Sequence, residues 1–112
     1  MKELFKVEFL PEATEFLDRL DDKPRTKVYY NIRKSQYVND KELFKKLNDK
    51  IWEFRTLYNG KAYRLFAFWD KSIHINAVVI ATNGYLKKTQ KTPKQEIERA
   101  EEIMRQYYAQ KK

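Results

Sequence analysis

The sequence has no cysteine, one histidine and two glycines among its 112 residues. Without cysteine the chain can form neither a disulfide nor a thiol nucleophile, and a single histidine excludes a multi-histidine metal site. Two glycines are too few for a phosphate-binding loop of the Walker or dinucleotide kind. The histidine, His74, lies in an apolar run between Ile73 and Ile75, so we interpret it as a structural strand residue. Most common enzyme signatures are therefore absent, and we expect neither a metal nor a cofactor.

Long apolar runs are missing as well. No segment approaches the roughly 20 apolar residues of a membrane-spanning helix, and the N-terminus has the pattern of a strand rather than of a signal peptide. Small secreted domains often carry disulfides, so the lack of cysteine favours a reducing compartment. We therefore expect a cytoplasmic protein with no membrane partner. The length is that of one ordinary domain, which we expect to occupy residues 1–112.

Charge is abundant and unevenly distributed along the chain. The formal net charge is +8. Residues 1–40 contain eight basic and eight acidic side chains, whereas residues 41–112 contain sixteen basic and eight acidic ones. Such an excess attracts polyanions and speeds their encounter with the protein. Charge alone leaves two interpretations open, a nucleic-acid-binding surface and a solvated surface that keeps the protein in solution.

Hydrophobic periodicity predicts an α+β fold with the element order β-α-α-β-β-β-α. The sheet should be twisted and rich in antiparallel pairs, with a helical hairpin packed on it and a C-terminal helix. The direction of the first strand is left open. Residues 82–84 should end the last strand, and Thr92 should cap the last helix with Pro93 as its first residue. The predicted strands cover residues 3–10, 51–58, 62–69 and 73–81, and the predicted helices cover residues 11–20, 24–38 and 93–107.

Asn59-Gly60 is a strong hairpin signal, because both residues of such a turn must adopt positive φ. The turn fixes the register and sets Arg55 directly opposite Arg64, where the two charges repel each other and lower stability. In a structural interpretation, Glu53 relieves this repulsion and truncating an arginine would destabilise the fold. In the functional interpretation, which we favour, both guanidinium groups await an anion such as phosphate. Truncating one should then leave the fold intact or slightly more stable.

A basic segment follows the predicted central strand. Residues 84–93 combine Tyr85 with three lysines and several side chains that can form hydrogen bonds. A basic loop alone is a weak signal, but beside Arg55 and Arg64 it could complete a pocket for RNA.

Several segments of the chain, taken together, form a recognisable pattern. Residues 45–55 read K-K-L-N-D-K-I-W-E-F-R, and Tyr63-Arg64 follows on the next strand. Residues 83–93 read N-G-Y-L-K-K-T-Q-K-T-P, and residues 96–100 read E-I-E-R-A. In this order and spacing they resemble elements of the RelE-superfamily toxins, in their HigB-like, phage-related branch. The resemblance covers about residues 43–105, and the predicted order of elements agrees with the RelE-like fold.

The resemblance implies the toxin of a type II toxin–antitoxin pair. Such toxins cleave mRNA, typically on the translating ribosome, and are neutralised by a helix-turn-helix antitoxin. We therefore expect a metal-independent endoribonuclease. One departure from the family pattern is Asn83, where many relatives have histidine, so no histidine acid or base is present at that position. The candidate catalytic residues are Arg55, Arg64, Tyr85, Lys87 and Lys88, and the candidate RNA-binding residues are Lys45, Lys46, Lys50, Gln90 and Lys91.

The two arginines would stabilise the negative charge that gathers on phosphate oxygens during cleavage. Lys87 or Lys88 would act as base or acid, and Tyr85 would stack on a base or donate a proton. Two rival functions stay open at this point. One is a non-enzymatic toxin that inhibits DNA gyrase, and the other is an inactive relative that binds only an antitoxin and operator DNA.

Overall fold

The computed structural model describes residues 2–72, 77–88 and 93–111. Within these ranges the chain forms five strands and three helices, which confirms the expected α+β class. No helix in the same ranges is long and apolar enough to cross a membrane. The elements are β1 (Lys6–Phe9), α1 (Pro11–Asp18), α2 (Asp22–Ser35), β2 (Phe44–Lys46), β3 (Trp52–Tyr58), β4 (Lys61–Trp69), β5 (Val78–Lys87) and α3 (Lys94–Gln110).

The five strands form one sheet in the order β1-β5-β4-β3-β2. β1 pairs parallel with β5, which settles the direction that the sequence left open, and every other neighbouring pair is antiparallel. The short strand β2 was not predicted, since three residues are too few to show a strand period. It adds a basic edge to β3, with Lys45 opposite Glu53 and Lys46 opposite Trp52.

The helical hairpin covers one face of the sheet. Ala13 and Leu17 of α1 and Val28 and Ile32 of α2 are buried there, in a cluster that includes Phe54 of β3. The spacing of four residues within each pair puts both members on one face of the helix, and this face packs on the sheet. Burial of such side chains, at about 25 cal/mol per Å² of apolar surface, holds the helices to the sheet.

The C-terminal helix covers part of the opposite face. Ala100 of α3 is buried against strand residues that include Phe66, Phe68 and Ile80. Met104, which is partly buried, belongs to the same cluster. Ala100 and Met104, four residues apart, lie on the face of α3 that packs on the sheet. The sheet thus lies between a pair of helices on one side and a single helix on the other.

The helix ends differ slightly from the predicted ones. α2 already begins at Asp22, because Pro24 is tolerated in a first turn, where its missing N–H has no helical acceptor to lose. The helix ends at Ser35, earlier than expected. α3 begins at Lys94, so Pro93 is the residue before the helix and not its first residue. The predictions made for His74, Gln90, Lys91 and Thr92 lie outside the described residues.

The largest correction concerns β5. The sequence predicted a strand that ends at residue 81 and a break at residues 82–84, but β5 runs on to Lys87. Its register with β4 shifts between Leu65 and Ala67, where a bulge accommodates one extra residue of β5. Gly84 is therefore a strand residue. A Cβ at this position would overlap the ring of Phe16 in α1, so glycine is needed for close packing and not for a break.

Candidate functional site

The hairpin between β3 and β4 brings the two candidate arginines together. Asn59 and Gly60 have φ angles of 51° and 75°, as a two-residue turn with positive φ at both positions requires. The resulting register places Arg55 directly opposite Arg64, which confirms the predicted pairing. Both side chains lie on the α3 side of the sheet, since Arg64 is two residues from Phe66 on the same strand.

A buried carboxylate lies between the two guanidinium groups. Glu53 Oε2 is 3.6 Å from Arg55 Nε and 3.6 Å from Arg64 Nε. The Glu53 side chain is 3% exposed, that of Arg64 is 9% exposed and that of Arg55 is 24% exposed. Both distances exceed hydrogen-bond length, so the carboxylate offsets the charges without engaging the Nε–H donors. Glu53 therefore compensates the two arginine charges by proximity, as the structural interpretation requires.

Burial sets the direction of the two pKa shifts in this group. Desolvation raises the pKa of Glu53, and the nearby charges of Arg64 and Arg55 oppose that rise without cancelling it. Desolvation likewise lowers the pKa of Arg64, although the Glu53 charge works against the change. Each charged side chain is therefore held in a medium that favours its neutral form. Charges held this way interact more strongly with an incoming phosphate than charges in open water do.

At the edge of the site, Arg55 has further contacts. Its Nη1 lies 3.7 Å from Glu42 Oε2 and donates to the carbonyl of Lys41 at 3.4 Å. Because the Glu42 side chain is 85% exposed, this ion pair is weak and an anion could displace it. Arg55 is thus the more accessible and Arg64 the more enclosed of the two cations.

Strand β5 contributes Tyr85, which lies directly opposite Arg64 of β4. Its ring stacks on Phe66 with a centroid distance of 5.5 Å and an interplanar angle of 18°. The hydroxyl oxygen of Tyr85 is buried. One face of the ring predicted to stack on a nucleobase is therefore already used within the protein.

Two lysines complete the group. Lys45 of β2 lies opposite Glu53, and Lys87 of β5 is two residues beyond Tyr85, on the same face of the strand. Both are close enough for their charges to act on the Glu53 carboxyl. We call this surface the arginine face and define it by its members, Lys45, Glu53, Arg55, Arg64, Tyr85 and Lys87.

The remaining candidate residues lie elsewhere. Lys88 comes directly after β5 and is exposed. Lys46 and Lys50 line a separate pocket at the other end of β3. Asn83 is 3% exposed, and its Nδ2 donates to the carbonyl of Glu96 in α3 at 3.4 Å. Asn83 thus ties β5 to the start of α3.

From the sequence, Glu53 was considered only as a residue that relieves the repulsion between Arg55 and Arg64. The structure makes it the centre of the arginine face, since it contacts both arginines and lies opposite Lys45. The signal was available in the alternation of β3, which puts Glu53 and Arg55 on one face. In the described ranges no group of three or more His, Cys, Asp and Glu residues could hold a metal ion.

The arginine face is suited to bind a phosphodiester. Four cations, Lys45, Arg55, Arg64 and Lys87, surround one buried carboxylate, which leaves an excess of positive charge on a rigid sheet. Guanidinium groups match the geometry of phosphate oxygens, and a sheet fixes their positions more firmly than a loop would.

Comparison with known proteins gives the family. No curated protein matches the sequence. The family described as Phage derived protein Gp49-like (DUF891) matches residues 15–105, a range that contains every member of the arginine face and most of α3. The chain therefore belongs to the Gp49-like family of phage-derived proteins, which is associated with RelE and toxin-like proteins.

Proposed function

We propose that this protein is the toxin of a type II toxin–antitoxin system, in the HigB-like branch of the RelE superfamily. It cleaves mRNA on the ribosome without a metal ion and is neutralised by a helix-turn-helix antitoxin. The observation that carries the proposal is the pair of opposed arginines, Arg55 and Arg64, around the buried Glu53. Two guanidinium groups beside one buried carboxylate leave a positive excess that can bind phosphate, and membership of a toxin-associated family supports this use.

The chemistry follows from the position of these groups. The RNA 2′-hydroxyl attacks the adjacent phosphate, the bond to the 5′ oxygen breaks, and negative charge gathers on the non-bridging oxygens. Arg64, fixed by burial, and Arg55, nearer to solvent, stabilise that charge as preorganised donors. Glu53 positions both guanidinium groups.

A base must take the 2′ proton and an acid must protonate the leaving oxygen. Lys87 and Tyr85 are the candidates on the arginine face, and Lys88 is the next residue along the chain. No histidine occupies position 83, so the proton transfers are assigned to these lysine and tyrosine side chains.

Induced expression tests the proposal. Wild-type protein should arrest growth and produce mRNA fragments whose ends map within coding regions, while plasmid supercoiling stays unchanged. Arg55→Ala and Arg64→Lys should each reduce cleavage by about a hundredfold or more, since a preorganised donor is lost or reshaped. Arg64→Lys keeps the buried charge and so limits the loss of stability.

The matched control is Arg105→Ala, which removes an exposed arginine of α3 whose ion-pair partner among the described residues is Glu102. This variant should remain fully toxic. Altered supercoiling with intact mRNA would assign the protein to gyrase inhibition instead. Normal growth while folded wild-type protein accumulates would exclude a toxin.

A further inference from the structure

A second concave site lies at the end of β3 away from the Asn59-Gly60 turn. It has a volume of about 260 Å³ and is formed by β2, the ends of β3 and β4, and the last turns of α3. We call it the aromatic pocket. Its aromatic and cationic lining consists of Trp52, Phe68, Trp69, Tyr108, Lys46, Lys50 and Lys71.

The aromatic side of the pocket is held by contacts between separate elements. The rings of Trp52 and Trp69 meet edge to face with a centroid distance of 5.7 Å. Tyr108 donates its hydroxyl to the carbonyl of Trp69 at 3.3 Å, and the backbone N–H of Lys71 donates to that hydroxyl at 3.4 Å. The flat surfaces are thus fixed before any ligand arrives, which lowers the entropy cost of binding.

The charged side of the pocket is uncompensated. Within residues 2–72, 77–88 and 93–111, none of Lys46, Lys50 and Lys71 forms an ion pair. Asp49 is the one acidic residue in the lining, so the pocket carries net positive charge. All three lysines are exposed and can reach an anion at the mouth.

We infer that the aromatic pocket binds one nucleotide of a single-stranded RNA. The base lies against the aromatic side, and its flanking phosphates contact the lysines. Stacking on aromatic rings beside cations is how proteins hold single strands without reading their sequence. The inference rests on the proposed function, since it makes the pocket a second contact for the strand that the arginine face cleaves.

The spacing of the two sites supports one continuous strand. Trp52 is three residues before Arg55 on β3, so these two side chains point to opposite faces of the sheet. Phe68, which also lines the pocket, is four residues beyond Arg64 on β4 and lies on the same face, roughly 13 Å away at 3.3 Å per residue. About four stacked nucleotides span that distance. Two adjacent lysines of β2 lie one at each site. Lys45 is opposite Glu53 on the arginine face, and Lys46 is opposite Trp52 at the pocket.

Intrinsic fluorescence gives a direct test, because the two tryptophans of the chain both line the aromatic pocket. A 2′-O-methyl RNA of about six nucleotides, which cannot be cleaved through its 2′-oxygen, is titrated into wild-type protein. We expect a saturable fluorescence change. An oligonucleotide of the same length with abasic positions keeps the phosphates and should bind several-fold more weakly with a smaller change.

The double variant Lys50→Gln/Lys71→Gln removes two phosphate contacts. It should lower the slope of log affinity against log salt by about 1.4, the value for two contacts on a single strand. Lys23→Gln/Lys34→Gln on α2 removes the same charge at exposed positions and is the matched control, with an unchanged fluorescence response.

Three results would overturn the inference. They are equal binding of the abasic strand, RNA binding with no fluorescence change, or a salt slope for Lys50→Gln/Lys71→Gln equal to that of Lys23→Gln/Lys34→Gln. Failure of the proposed function looks different. In that case the uncleavable RNA still binds at the tryptophans, but wild-type protein leaves ordinary mRNA intact.

Discussion

Glu53 offsets the charges of both arginines, but its own charge is costly to bury. It neutralises their mutual repulsion, yet its own ionised form is disfavoured by burial, which raises its pKa. The ionised form of this carboxylate depends on the positive charges of its partners. The two partners are not equivalent. Arg64 is nearly as buried as Glu53, whereas Arg55 reaches the surface. Loss of Arg64 therefore leaves a buried charge with one accessible partner, which reverses the sign expected from repulsion alone.

Arg64→Ala should lower the free energy of unfolding by about 1–3 kcal/mol, as the loss of a partner from a buried polar group does. Arg55→Ala should cost less, because solvent and Glu42 share its charge. Chemical denaturation of the two variants measures the difference. Adding Glu53→Gln to Arg64→Ala should recover part of the loss, since it removes the stranded charge. Equal costs for the two arginines would show that burial does not distinguish them.

At the scale of elements, the packing of α1 on β5 depends on a missing side chain. The sequence signal at Gly84 was misread as a strand break, since glycine marks turns more often than close approaches. Its true role depends on Phe16, a residue far away in the chain, which no local pattern reveals. The Asn59-Gly60 turn, by contrast, acts locally, and both the turn and its register were predicted.

Gly84→Ala should destabilise the fold by about 1–3 kcal/mol, because the added methyl group overlaps the Phe16 ring. Combining it with Phe16→Leu should restore part of the loss in thermal melts. Gly60→Ala is the contrasting variant. A Cβ there meets open space, but φ of +75° costs about 1 kcal/mol for any residue other than glycine. If Phe16→Leu rescues both variants alike, the contact with α1 is not the cause.

The carboxylate of Asp70 binds the end of α3 next to the end of β4. Asp70, whose side chain is fully buried, accepts hydrogen bonds from Tyr107 and Lys111 of the helix end and from Ser72. Burial alone would raise the pKa of Asp70, but the bonds from Lys111, Ser72 and Tyr107 outweigh it and lower the pKa. Because the pKa of Asp70 in the folded protein lies below the ordinary value of 3.8, its ionised form stabilises the fold fully at pH values above 3.8. This stabilisation is lost as the pH falls below that value.

Asp70→Asn should therefore be less stable than wild type at pH 7. The gap should begin to close below about pH 4, where unfolded wild-type chains take up a proton that the folded state resists. Urea midpoints measured at pH 7 and pH 3 for both proteins test this. A gap that stays constant would mean that Asp70 contributes through shape rather than charge.

For the molecule as a whole, seven of the sixteen basic side chains in residues 41–112 form two groups. One is the arginine face and the other is the lysine mouth of the aromatic pocket. The sequence predicted the surplus and the opposed arginines, since both follow from counting and from hairpin register. It could not predict the pocket, because its walls come from three distant parts of the chain. It also missed β2, where only pairing with β3 reveals a strand.

RNA affinity should therefore fall steeply with salt. With four cations on the arginine face and three at the pocket, log affinity should decline against log salt with a slope no steeper than roughly 5. Fluorescence anisotropy of a labelled, uncleavable RNA between low and physiological ionic strength measures it. A flat response would place the binding energy in contacts other than phosphate.

The parallel pairing of β1 with β5 has a consequence for how the chain matures. Lys6 pairs with Val78, so the first strand made on the ribosome cannot find its place until most of the sequence has been synthesised. The β3–β4 hairpin needs only its own turn and can form within microseconds. The opposed arginines thus meet early, while the sheet beneath them closes last and slowly, as distant pairings do.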